Sequence, residues 1–298
     1  MKKYDLILDC LQQKCKEMYF RNAMNLKGFK NPLEIDTTIQ LLSDYKDFGI
    51  MKYFLEITAK SENFKDKINK EFVKNKDALT LLRMLLKNSK NSYIVGGCVR
   101  DILLDETPKD FDFVTDIPYN KLKEIFSSKE FSFKETGTNF LVFNLNYKGV
   151  DYEIANFRYE SDYEDGRRPT EVRVGTIEED RQRRDFHINS IFWNPYELYI
   201  HRFAIEDIEK RNLRFVGDPN ERLKEDYLRG IRFYRLLKTK NLNPGKASLS
   251  AVRRNFDNIM KVTPHRMMME IERMVGLWKK FLEFWKSKFK KHYIIRRW

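Results

Sequence analysis

One stretch constrains this chain more than its composition does: Tyr93-Ile94-Val95-Gly96-Gly97-Cys98-Val99-Arg100-Asp101, followed nine residues after Asp101 by Asp110-Phe111-Asp112. A strand ending in two glycines lets backbone N–H groups approach a phosphate closely, because no Cβ intervenes. A helix beginning just after it adds its positive end, and Arg100, to the same spot. Asp110 and Asp112 are two apart on a following strand, so both side chains point to one face. Two carboxylates held a few ångströms apart repel unless a divalent cation sits between them. Phosphates on one side and a carboxylate pair on the other are what two-Mg²⁺ phosphoryl or nucleotidyl transfer needs. A double glycine alone marks a tight turn, and Asp-x-Asp alone an exposed strand end. Their ordered succession narrows the reading.

Around this core the pattern changes character. Residues 1–88 read as helical, with apolar residues at three- and four-residue steps in Leu6–Leu11, Ile39–Leu42 and Ala78–Leu86. Ser92–Val95 opens a region of short strands reaching about Glu160, with one helix near Tyr119–Phe126. Phe140–Leu145 and Val150–Phe157 are expected to pair through Asn146-Tyr147-Lys148-Gly149. From about Arg222 the sequence returns to helix.

Lys and Arg total 57 against 44 Asp and Glu, a net charge of +13. Such an excess fits a polyanionic partner and fits equally a Lys-rich coding bias. Residues 277–298 hold eight Lys or Arg against Glu283, interleaved with Trp278, Phe281, Phe284, Trp285, Phe289, Tyr293 and Trp298. This tail could stack on a single strand, lie on an anionic membrane as an amphipathic helix, or pack back on the core. Cys10, Cys15 and Cys98 have no paired spacing, which argues against a disulfide framework or a thiolate metal site. No stretch approaches the ~20 apolar residues of a membrane span, and a reducing, cytoplasmic compartment is expected.

The motif and four further segments resemble the class II tRNA nucleotidyltransferases (CCA-adding enzymes) and the related bacterial poly(A) polymerases, over roughly residues 92–275. Tyr152–Arg158 looks like the strand that brings a third carboxylate, Glu153. Asp162–Pro169 matches the stretch after it, and Glu178–Ser190, with Arg183-Arg184-Asp185-Phe186, resembles the family's RRDF motif. Glu221–Arg235 looks like the helix carrying the EDxxR pattern.

The resemblance implies an α+β fold: a polymerase-β-like nucleotidyltransferase head with a mixed sheet, a helical neck, and here an N-terminal helical extension. The expected boundaries are 1–88 for the extension, 89–205 for the head, 206–276 for the base-reading neck and 277–298 for the tail. Asp110 and Asp112 would hold two Mg²⁺ ions, with Glu153 as the third catalytic carboxylate. Gly96, Gly97 and Arg100 would bind the triphosphate, and Arg184 would contact the nucleotide. Asp226 and Arg229, three apart on an expected helix, would read the edge of cytosine or adenine in place of a template. Arg232 and Arg235 continue that face toward NTP phosphates or RNA backbone, and each of Arg184, Arg232 and Arg235 could instead clamp Asp185 or Glu179.

The implied activity is template-independent addition of C and A to the 3′ end of tRNA from CTP and ATP. A poly(A) polymerase, an A- or C-adding specialist, a defence factor acting on tRNA, and a catalytically inactive RNA-binding module share parts of this pattern. Four departures stand out. Asp105 replaces a glycine in a turn, His187 replaces a small hydroxyl residue, and His265 stands where a glutamate is usual. The chain also ends about 30 residues after the last motif, so the N-terminal helices or the tail are expected to grip the RNA, or to serve packing alone.

Overall fold

The structure, a computed structural model, describes residues 48–108, 110–134, 142–163 and 169–273. The readings at Leu6–Leu11 and Ile39–Leu42 and the basic aromatic tail lie outside these residues. The described residues form two compact units, one reaching to 162 and resuming at 169–210, the other starting at 211. The helices before residue 89 group with the sheet.

The first unit is built on a mixed seven-stranded sheet. Its strands are β1 (Ser92–Val95), β2 (Asp112–Thr115), β3 (Phe131–Lys134), β4 (Val142–Tyr147), β5 (Val150–Asn156), β8 (Phe192–Trp193) and β9 (Leu198–Tyr199), in the order β3-β4-β5-β2-β1-β8-β9. Only β2 and β5 run parallel; every other neighbouring pair is antiparallel. A separate ribbon pairs β6 (Arg158–Tyr163) with β7 (Pro169–Val174). The β4–β5 hairpin turns on Lys148 and Gly149 alone, at φ 53° and 80°. Two successive positive-φ residues match the twist of a two-residue hairpin, which shortens the expected four-residue connection.

Period-two alternation divides the sheet into faces. On one, the paired residues Trp193, Ile94, Phe113, Ile154 and Phe143 form a buried row. Helices α1 (Phe48–Phe72), α2 (Lys76–Asn88), α3 (Gly97–Leu103) and α4 (Tyr119–Ile125) accompany the sheet. Phe72 of α1 packs on Trp193 at 4.5 Å between ring centroids, and Trp193 Nε1 donates to Asn69 Oδ1 at 3.1 Å. Lys67 Nζ donates to the Leu103 carbonyl, which closes the end of α3, at 2.9 Å. These contacts join α1 to the head. The other face holds Tyr93, Val95, Val114, Phe157, Phe192 and Tyr199, with Ile177 of α5 (Ile177–Arg183) against them. The unit ends in α6 (Arg202–Glu209).

The second unit is helical. It runs through β10 (Asn212–Leu213), α7 (Pro219–Glu225), α8 (Leu228–Thr239), β11 (Asn243–Pro244), α9 (Lys246–Arg254), α10 (Phe256–Ile259) and α11 (Pro264–Glu272). Phe215 and Phe233 stack at its centre, 5.7 Å apart. Gly230 lets α8 and α10 meet, since a Cβ there would lie 2.4 Å from Ile259 Cδ1.

Candidate functional site

Strand register assembles an acidic edge from residues far apart in sequence. Val95 pairs with Asp112, Asp112 with Glu153, and Glu153 with Asn144, one row across four strands. Asp112 and Glu153 therefore stand side by side on one face, and both are exposed, as is Asp110 just before the strand. Phe111 takes the opposite direction and meets Phe72 of α1 edge-on at 5.3 Å. The Asp-Phe-Asp segment is thus held by its aromatic middle, which leaves the flanking carboxylates outward.

The Gly96-Gly97 turn leaves β1 at that same edge, directly after Val95. Gly96 adopts φ 81° and ψ −128°, a conformation closed to residues with a Cβ. Its N–H donates to the Ile191 carbonyl at 3.3 Å, and its carbonyl accepts from Arg100 N at 3.1 Å. Arg100 is only 7% exposed. Its Nε and Nη2 donate to Asp101 Oδ1 at 2.8 and 2.6 Å, and its Nη1 to Asn189 Oδ1 at 2.6 Å. Asn189 Nδ2 in turn donates to Asp185 Oδ1 at 2.9 Å. Arg100 therefore braces the glycine turn from beneath.

Arg184 approaches the turn from another element. A Cβ built on Gly96 would lie 3.6 Å from its Nη1. Its Nε and Nη2 donate to Asp180 Oδ2 at 3.0 and 2.7 Å, and its guanidinium lies over the Phe192 ring. Asp180 is fully buried; burial alone would raise its pKa, but Arg184 and Arg183 outweigh that and hold it below the usual carboxylate range. Asp180, Asp185 and Asn189 escaped the sequence reading as site residues, although Asp185 and Asn189 stand four apart inside the quoted RRDF segment.

The departures find local explanations. His187 is buried, with Nδ1 3.0 Å from Asp207 Oδ2 and its ring 5.3 Å from Phe203, so it packs toward α6. Asp105 adopts φ 65°, the left-handed backbone that a glycine would take without strain, and pairs with Lys67 at 2.7 Å. His265 lies exposed in the first turn of α11, after Pro264. Cys98 is buried, and burial pushes its thiol up to about 12, which leaves no thiolate for chemistry.

In the second unit the expected continuous helix is corrected. Asp226 caps the end of α7 with φ −155°, and α8 begins two residues later, so Asp226 and Arg229 do not share one helix. The break arises because Asp226 Oδ1 accepts from Leu228 N at 3.0 Å, a side-chain bond that competes with helix continuation. Both Asp226 oxygens also accept from Arg266 Nη2, at 3.0 and 2.9 Å. Arg229 bonds Glu225 and the Arg222 carbonyl. Arg235 Nε donates to Glu270 Oε2 at 2.6 Å and Arg232 Nε to Oε1 at 3.4 Å, so their clamp is Glu270 rather than Asp185 or Glu179. Glu270 is 2% exposed.

Asp110, Asp112 and Glu153 offer hard oxygen donors, which suit Mg²⁺. Among the described residues no group of three or more His, Cys, Asp or Glu closes around a metal by itself. A Mg²⁺ ion would complete its shell from water and phosphate, as that ion commonly does. No helix among the described residues is long and apolar enough to cross a membrane.

Residues 92–214 match the poly A polymerase head domain family. The CCA-adding enzyme of Lactobacillus helveticus is 34% identical over 211 residues, covering 70% of this chain and 51% of that enzyme. The CCA-adding enzyme of Staphylococcus saprophyticus is 32% identical over 231 residues, covering 74% of this chain and 57% of the relative. The chain thus spans about half the length of the curated relatives it matches. The crystal structure of the Bacillus stearothermophilus CCA-adding enzyme in complex with CTP superposes with a TM-score of 0.60 at 27% identity, over 69% of this chain and 49% of that one. A tRNA nucleotidyltransferase complexed with a primer tRNA and an incoming ATP analog shares the fold, with a TM-score of 0.53 at 23% identity over 70% of this chain and 60% of that one.

Proposed function

We propose, for a chain whose residues 92–214 belong to the poly A polymerase head domain family, that it extends the 3′ end of tRNA with C and A from CTP and ATP, without a template. The observation that carries this reading is the shared row of Asp112 and Glu153 beside the Gly96-Gly97 turn. An exposed carboxylate pair next to a backbone that tolerates close approach suits a triphosphate and an attacking hydroxyl.

Asp110 and Asp112, with Glu153 beside them, would hold Mg²⁺. A divalent cation there supplies charge neutralisation at the α-phosphate and a lowered pKa for the RNA 3′-hydroxyl. The chain's own part is positioning. Gly96 and Gly97 present the backbone to the triphosphate. Arg100 and Arg184, fixed by Asp101, Asn189 and Asp180, keep positive charge at the turn with little reorganisation. The attacking 3′-oxygen forms a bond to the α-phosphorus while the bond to pyrophosphate breaks in line. In the second unit, Asp226 and Arg229 would read the base edge, with Arg266 fixing the Asp226 carboxylate and Glu225 holding Arg229. Arg232 and Arg235 would meet phosphate from positions set by Glu270.

Primer extension tests this directly, with purified protein, Mg²⁺ and a tRNA transcript ending at the discriminator base. Addition of C, C and A that then stops supports the reading. A long A ladder moves the assignment to poly(A) synthesis, which the matched head family also covers. Tight RNA binding without incorporation overturns catalysis.

A further inference from the structure

A cavity of about 530 Å³ lies in the first unit between α1, α2 and the β8–β9 hairpin. Its floor is apolar and aromatic: Phe72 and Trp193, with Leu79 and Leu86 beside them. On the rim stand Arg83 and Lys87, one turn apart on α2, and Tyr196 at the tip of the hairpin. Tyr196 is 70% exposed, unusual for a ring of that size.

The rim cations differ from the arginines that the fold buries or half-buries. Arg100, Arg181, Arg183, Arg184, Arg229 and Arg235 are all bonded to carboxylates. Arg83 and Lys87 are exposed and make no hydrogen bond or ion pair among the described residues, and no acid is among the described residues that line the cavity. Asn69 adds an oriented donor. Its Oδ1 accepts from Trp193 Nε1, which turns the Nδ2 amide toward other partners.

An apolar floor with an exposed aromatic lip, an amide donor and two exposed cations suits a flat heteroaromatic ring bearing a phosphate. The volume lies in the range of small-ligand sites, large enough for one nucleotide. We infer that this cavity seats one unpaired nucleotide of the RNA substrate, its base against Tyr196 and the apolar floor and its phosphates against Arg83 and Lys87. The helices ahead of the sheet thereby give the head a second hold on RNA. This inference rests on the proposed RNA substrate, and its test separates the two.

The full chain is titrated with a fluorescently labelled tRNA transcript, and Kd, KM and kcat are read for wild type, R83E/K87E, Y196A, and K76E/K90E as a control outside the cavity. The expected result is a Kd and KM for tRNA raised about tenfold in R83E/K87E and about fivefold in Y196A, with kcat and the KM for CTP within about twofold. The salt slope of log Kd should become shallower by about 0.7 for each phosphate that the variant no longer neutralises. Unchanged tRNA affinity in both cavity variants overturns the inference. So does a K76E/K90E effect equal to R83E/K87E with Y196A unaffected, since that is diffuse attraction. Relief by millimolar AMP would also overturn it, in favour of a mononucleotide site. R83A/K87A gives the same reading should charge reversal lower the melting temperature. If wild type binds tRNA but extends nothing, the catalytic reading fails while the Kd series still decides the cavity.

Discussion

Asp112 and Glu153 stand exposed side by side on two interior strands of the sheet, with Asp110 exposed just before β2, whereas Arg229 and Arg235 are each sequestered by a carboxylate of their own chain. Their surroundings differ in a way the residue types do not reveal. Acids on an uncovered stretch of sheet are bathed in solvent, so water hydrates them whatever else the fold provides. A helix face packed on another helix buries its guanidinium groups, and an unpaired buried charge costs several kcal/mol, so the fold supplies Glu225 and Glu270. The acid row is left to solvent. The arginine face is built first for the fold.

The sharpest way to break this contrast is D110A/D112A. Incorporation of CMP or AMP should fall on the order of 10³-fold or more, while the denaturant midpoint moves little, because exposed side chains away from packing shift stability by about ±0.5 kcal/mol. A large loss of stability would place these acids among the fold's supports. Glu270→Ala is the mirror experiment. It strands Arg232 and Arg235, and chemical denaturation should report a loss of about 3–5 kcal/mol in the second unit. Unaltered stability would mean that the arginines are free to serve a ligand after all.

Gly230→Ala should cost about 1–3 kcal/mol, because its Cβ meets the buried Ile259 side chain and α8 must shift from α10. The effect should vanish in G230A/I259A relative to I259A alone, read by thermal melting.

A subtler contrast is available by pH. His201 caps α6, its Nδ1 accepting from Phe203 N at 3.3 Å, and burial, aided by Arg181 and His187, pushes its pKa down to about 3. A lowered histidine pKa means the unfolded chain binds the proton first. Its contribution is therefore present above about pH 6.5 and is lost as pH falls from there toward 3. The slope from this group is at most about 1.4 kcal/mol per pH unit, less where water screens the half-buried ring. His201→Asn keeps a cap and should flatten the profile over that window.

Sequence reading placed Asp110 and Asp112 together on one strand, but β2 begins only at Asp112, so Asp110 lies just before it; the strand–Gly-Gly–helix order was legible because it needs only local geometry. It reached the β4–β5 pairing for the same reason. Glu153 needed more, since its place beside Asp112 depends on a parallel pairing between strands some forty residues apart. The break between α7 and α8 was missed because spacing alone cannot weigh the Asp226–Leu228 bond against one more helical turn. Arg100 was legible as a charged residue at the turn but not as the brace beneath it, because Asn189 reaches it from 89 residues away.

What the sequence determined by itself is a set of local conformations and chemical types: a glycine turn, an outward acid pair, alternating strands, helices with arginine at three-residue steps. Tertiary structure alone decided which charges meet one another and which face solvent. The reason is physical. A charge's partner is whatever long-range packing brings within hydrogen-bonding distance, and burial, itself a property of the whole fold, decides whether that partner is obligatory.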